Sequence, residues 1–204
     1  MRTGAIILCG GQSTRMGSDK ALLPLGSELM LQRVVRLVGE VVDASRIVVV
    51  AAEKQKMPDL PREISVTRDE RPNRGPLEGM AAGLRALDGQ ADAAFVTSCD
   101  APLLVPAFVE RMFELLGGHE VVVPRDEDHV HPLAAVYRLS ALPQVEQLLA
   151  GDRLRTLDLL DTVSTHEVNA EELREVDPQL ATLKNLNTEE DYVSALASLR
   201  RNDF

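Results

Sequence analysis

Residues 5–25, AIILCGGQSTRMGSDKALLPL, decide how the chain is read. Ala5 to Cys9 form a short apolar run suited to a buried strand, and the run stops abruptly at Gly10-Gly11. Such a strand, ending in a small, flexible loop that carries Arg15 and Lys20, delivers backbone N–H groups and positive charge to an anion. Gly10, Gly11 and Gly17 let the backbone wrap closely around a phosphate, and the two basic side chains supply the charge a triphosphate needs. Neither standard phosphate fingerprint fits. The Walker pattern needs Gly-Lys-Ser/Thr, whereas Lys20 follows Asp19 and precedes Ala21, and the dinucleotide pattern needs alternating glycines. A structural turn would also use glycines here; the two cations point to phosphate instead.

Working outward, apolar runs rich in Val and Ile alternate with stretches of helical period, the pattern of a largely parallel sheet with helical crossovers. Leu29, Val34, Leu37, Val38 and Val41 recur at helical spacing after a cap expected at Ser27. A strand follows at 46–52, a weak strand at 63–69, and a helix opening at Pro76, where proline suits the first turn. The run DAAFVTSCDAP reads as a strand ending in Asp100, and a helix from Pro106 to Leu116 precedes strands EVVVP and HPLAAVYR. A helix over 140–149, a short strand over 163–168 and a closing helix capped by Thr188 complete the pattern. The expected fold is α/β: a single doubly wound, mostly parallel, Rossmann-like sheet over one domain, residues 1–204.

Composition narrows the function. The 204 residues carry 22 basic and 32 acidic side chains, a net charge of −10, which argues against nucleic acid and anionic membrane as partners. Cys9 and Cys99 each end an apolar run and read as buried free thiols in a reducing cytoplasm. No leader-like stretch opens the chain, and no apolar run approaches the ~18 residues a membrane span needs, so a cytoplasmic protein is expected.

Two acidic positions complement the basic loop. Asp100 ends an apolar strand, where a carboxylate is costly to bury unless it binds a metal or a donor, so it reads as a Mg2+ ligand. Asp69 ends the weak strand before ERPNRG and a helix start, a place for base or ribose. His131 precedes a proline and an apolar strand and reads as a core or turn histidine; His119, His129 and His166 show no ligand spacing.

The motifs LCGGQSTRMGSDKALL, RGPLEGMAAGL, SCDAPLL, HPLAAVYR and NLNTEEDY, in that order over nearly the full length, resemble those of the molybdenum cofactor guanylyltransferases. The resemblance implies transfer of GMP from GTP to molybdopterin with release of pyrophosphate. It implies that Leu8, Cys9, Gly10, Gly11 and Lys20 bind GTP, with Lys20 on the phosphates, that Asp69 also contacts the nucleotide, and that Asp100 holds Mg2+. Lys20, Arg15 and Asp100 would then carry the catalysis. Asn185 and Asn187 resemble the family's pterin-side signature, and molybdenum-insertion proteins and molybdoenzyme chaperones are the partners implied. Cys9 stands where the family usually has alanine, and Ala51 where an asparagine that helps bind the guanine nucleotide is typical. The rivals are a cytidylyltransferase or sugar-phosphate nucleotidyltransferase with the same loop, or a nucleotide-binding domain without turnover. Retention of both Lys20 and Asp100 speaks against the last.

Overall fold

The first apolar run does become a strand, and everything else is arranged around it. In chain order the elements are β1 (Thr3–Leu8), β2 (Pro24–Leu25), β3 (Glu28–Leu29), α1 (Met30–Gly39), β4 (Ile47–Ala51), β5 (Ser65–Arg68) and α2 (Pro76–Ala86). They continue with β6 (Ala93–Ser98), α3 (Pro106–Leu115), β7 (Val121–Arg125), β8 (Ala135–Arg138), α4 (Leu142–Ala150), α5 (Thr156–Leu160), β9 (Thr165–Asn169) and α6 (Glu189–Asn202). The computed structural model describes residues 1–10, 19–69, 71 and 74–202.

Seven strands form one sheet in the order β5-β4-β1-β6-β8-β7-β9. β1 lies parallel to β4, with Ala5 beside Ile47, and parallel to β6, with Leu8 beside Ser98. β8 alone runs antiparallel, against β6 on one side and β7 on the other. β7 therefore points the same way as β1, and the carboxyl ends of β1, β4, β5, β6 and β7 share one edge of the sheet. Ligands of open α/β sheets lie at that edge.

The strands are Val- and Ile-rich because both faces of the sheet are covered, which removes the polar alternation of a one-sided sheet. On one face Leu31, Val34 and Val38 of α1 pack with Phe108, Val109 and Met112 of α3 against Ile7, Val49 and Phe95. On the other, Leu77, Met80 and Leu84 of α2 pack with Val145 and Leu148 of α4 against Ile6, Val48 and Val96. α2 presses close to the sheet: a Cβ on Gly83 would sit 2.5 Å from Ile6 Cγ2, so only glycine permits the approach. Among the described residues no helix is long and apolar enough to cross a membrane.

Three sequence expectations are corrected. Ser27 does not cap α1, because β2 and β3 form a tight antiparallel hairpin around Gly26, at φ 69°, and the helix starts only at Met30. The cap there is Gln32, whose side-chain oxygen accepts the Leu29 N–H at 2.9 Å. The strand expected from His131 begins at Ala135, since 131–134 turns back with Ala134 N–H on the His131 carbonyl at 3.0 Å. The five-residue helix α5 was not expected at all; it is too short to show a period.

Candidate active site

The site is built where β1 and β6 end side by side. The Cys9 N–H donates to the Val50 carbonyl at 2.8 Å, and the Cys99 N–H donates to the Leu8 carbonyl at 2.9 Å, so both strand ends are held by their neighbours. Leu8, Cys9 and Cys99 are buried, and both thiols are free. The Cys99 thiol beside it, and then burial, push the Cys9 thiol well above its usual range, so Cys9 is an inert lining rather than a nucleophile.

One side chain ties Cys9, before the basic loop, to Asp19, after it. Gln55 Nε2 donates to the Cys9 carbonyl at 3.1 Å and to Asp19 Oδ1 at 2.9 Å, while its Oε1 accepts the Ala52 N–H at 3.1 Å. Asp19 also accepts the Ala21 N–H, capping the short turn of Lys20–Leu22. Gly10 packs against the backbone at Ala52. Gly11, Arg15 and Gly17 lie outside the described residues.

Beyond that turn, Lys20 reaches across to β6. Its Nζ lies 3.0 Å from Asp100 Oδ2 and 2.9 Å from Asn187 Oδ1, and the Lys20 and Asp100 side chains are only 13% and 19% exposed. Asp100 Oδ1 accepts the Ser98 hydroxyl at 2.5 Å. A cation and a hydroxyl thus meet the two oxygens of this enclosed carboxylate.

Asn187 arrives through the carboxyl-terminal segment. The Leu186 N–H donates to the Asp100 carbonyl at 2.8 Å, and Leu186 and Ala195 pack with Leu25 and Met30. The Tyr192 hydroxyl donates to the Pro24 carbonyl. Asp191 accepts the N–H groups of Asn187 and Thr188, which hold its carboxyl below its usual range, and Thr188 caps α6 by accepting the Asp191 N–H at 3.1 Å. Asn185 is exposed and its side chain makes no hydrogen bond among the described residues.

Asp69 sits apart from this cluster, on the β4–β5 side. Its N–H donates to the Ala51 carbonyl at 2.9 Å, and its Oδ1 accepts the Arg71 N–H at 3.1 Å. The structure therefore brings Lys20, Asp100 and Asn187 into contact and sets Asp69 and Ala51 together at a neighbouring strand end.

Sequence reasoning missed a buried acid behind Asp69. Glu78, in the first turn of α2, is 1% exposed and lies 3.3 Å from both Arg71 and Arg74. Arg74 also reaches Asp152 at 3.0 Å and the Leu149 carbonyl at 2.9 Å. The loop after Asp69 is thereby fastened to the end of α4. A lone acid inside the apolar stretch PLEGMAAGL was the available signal.

A divalent cation fits this donor set. Among the described residues no group of three or more acidic, histidine or cysteine side chains forms a cage. A divalent cation brought with a nucleotide uses one or two carboxylates and takes its other oxygens from phosphate and water, so a single enclosed acid such as Asp100 is enough to fit one.

The family model of the MobA-like NTP transferase domain matches residues 5–166. The probable molybdenum cofactor guanylyltransferase of Methanosarcina acetivorans is 36% identical over 211 residues, covering 96% of this chain and 90% of that protein. The protein of the same name from Mycobacterium avium is 36% identical over 205 residues, covering 98% of each. Among solved structures, molybdopterin-guanine dinucleotide biosynthesis protein A from Archaeoglobus fulgidus aligns with a TM-score of 0.78 at 22% identity, over 98% of this chain and 100% of that one. That likeness speaks to the fold, including the mixed seven-stranded sheet.

Proposed function

Because the chain belongs to the molybdenum cofactor guanylyltransferases of the MobA-like NTP transferase family, we infer that it is a nucleotidyltransferase that moves GMP from GTP to the terminal phosphate of molybdopterin, releasing pyrophosphate. The observation that carries this reading from family to chain is the meeting of Lys20 with Asp100 and Asn187 at the carboxyl edge of β1 and β6.

In this reading an oxygen of the acceptor phosphate attacks the α-phosphorus of GTP in line with the α–β bridging oxygen. One P–O bond forms, the α–β P–O bond breaks, and the electron pair leaves with pyrophosphate. The protein needs no nucleophile of its own; alignment and neutralised charge suffice. Asp100 would hold Mg2+, which when bound supplies positive charge to the phosphate oxygens. Lys20, with Arg15 and the backbone N–H groups of Gly10 and Gly11, would hold the β- and γ-phosphates and stabilise the leaving group.

Lys20 stands 3.0 Å from the Asp100 carboxylate, within reach of both that oxygen and a phosphate beside it. Asn187 keeps its amine at the site. Asp69 and Ala51 would flank the nucleoside, and Ala51, lacking an amide, leaves guanine to be read by the remaining groups. The test is pyrophosphate release and dinucleotide formation with GTP, CTP or ATP, each with and without molybdopterin. GTP together with molybdopterin is the productive pair in this account.

A further inference from the structure

Among the described residues, the pair Asp126 and His131 stands on the active edge and is left unused by the nucleotide. β7 ends at this edge and β8 begins there, and the loop between them carries Asp126 and His131. His131 Nε2 lies 2.7 Å from Asp126 Oδ2. The other oxygen of Asp126 accepts the N–H groups of Asp128 at 3.0 Å and His129 at 2.7 Å, and the His131 N–H donates to the Pro124 carbonyl at 2.9 Å. Two further hydrogen bonds, Asp126 N–H to the His129 carbonyl and Ala134 N–H to the His131 carbonyl, brace the loop.

The carboxylate settles the imidazole's orientation. His131 first, and then the backbone N–H groups, hold Asp126 down to about 2, so it is an anion that can only accept. Nε2 must therefore carry the hydrogen. Nδ1 makes no hydrogen bond among the described residues, and the side chain is 21% exposed. A histidine whose far nitrogen is fixed by a carboxylate while its near nitrogen stays free is arranged to share a proton with an incoming group.

The nucleotide reading says where that group lies. If the nucleoside rests by β4 and β5 and the triphosphate over β1 and β6, an in-line acceptor must approach from the remaining side, where β8 and β7 stand. An acceptor phosphate there needs a partner. Arg125 is committed to Glu167 at 2.6 Å, and Glu127 and Asp128 are exposed acids that would repel it. His129 is exposed and stands off Asp126 at 3.9 Å. His131 is the braced group.

We propose that His131, held by Asp126, is the contact for the acceptor's phosphate monoester, with one proton shared between Nδ1 and a phosphate oxygen as the acceptor lines up for attack. The proposal rests on the nucleotidyl-transfer reading. Nothing is oxidised or reduced. The proton passes between that oxygen and Nδ1, and the phosphate keeps the electron pair that forms the new P–O bond.

The experiment separates contact from scaffold by exchanging one imidazole nitrogen at a time. H131Q places an amide near the position of Nε2, keeping the brace to Asp126 while losing the outward nitrogen; H131N does the reverse. Each full-length variant is measured for unfolding temperature, for Mg2+·GTP binding by calorimetry, and for dinucleotide formation at varied molybdopterin. The expected result is that H131Q unfolds within about 2 °C of the parent and binds GTP within about twofold, yet its KM for molybdopterin rises about tenfold or more. H131N keeps more of the acceptor affinity than H131Q. An unchanged acceptor KM in H131Q overturns the proposal, and should H131Q not fold, full loss of acceptor affinity in a folded H131N overturns it instead. A parent protein that forms no dinucleotide overturns the transfer reading and this proposal with it, whereas an active parent matched by H131Q overturns this proposal alone.

Discussion

Lys20 Nζ and Asp100 Oδ2 lie 3.0 Å apart, although 80 residues separate them in the chain. The cation that would hold the triphosphate and the carboxylate that would hold the metal thus form an ion pair. Substrate and metal would draw on both, and the two effects can be separated by mutation.

Lys20→Ala should therefore act in opposite directions on two measurements. Without nucleotide, Asp100 loses its competing cation, so Mg2+ should bind more tightly than to the parent in calorimetric titration. With GTP and acceptor, kcat/KM should fall by about 2–4 kcal/mol in transition-state terms, because the lost contact strengthens as charge builds on pyrophosphate. A variant that lost neither turnover nor the competition would show that Lys20 serves the fold.

Asp100→Asn keeps the shape, the Ser98 neighbour and the backbone bond from Leu186, but not the charge. Stability by urea unfolding should change by less than about 2 kcal/mol, since Asn187 still holds Lys20. Divalent-dependent turnover should fall by about a hundredfold or more. Near-normal rates would reduce Asp100 to a partner for Lys20.

Glu78→Gln removes a charge that is 1% exposed and faces two arginines. The remaining arginines are partly solvated, at 54% and 24%, so the cost should be about 1–3 kcal/mol by urea unfolding rather than that of a fully buried pair. GTP affinity should weaken as well, because the loop that follows Asp69 loses its anchor. Unchanged stability and nucleotide affinity would leave Glu78 without a role.

The mostly parallel sheet and its carboxyl edge were readable because the Val- and Ile-rich runs alternate with helical stretches and both faces of the sheet are covered, whereas the order of the strands and the antiparallel β8 were not. Ser27 misled for a physical reason: a hairpin turn at Gly26 uses the same small polar residues as a helix cap. The start of β8 was misplaced because a turn at His131, itself read as a core or turn histidine, interrupts an apolar run that otherwise reads as one strand. Asp100 and Lys20 could be named from their places after strand and glycine loop. That Asn187 meets Lys20, 167 residues away, could not, since it depends on α6 packing against β2 and Met30. Gln55 gave no signal either; its two bonds across the loop ends exist only once β1 and β4 are side by side.

The most direct test of the account is one reaction series: purified protein, Mg2+, molybdopterin and one nucleoside triphosphate at a time, with pyrophosphate and dinucleotide quantified together. The account predicts one pyrophosphate per molybdopterin guanine dinucleotide with GTP, and little of either with CTP, with ATP or without molybdopterin. Faster product formation with CTP, or pyrophosphate release from GTP that ignores molybdopterin, would contradict it.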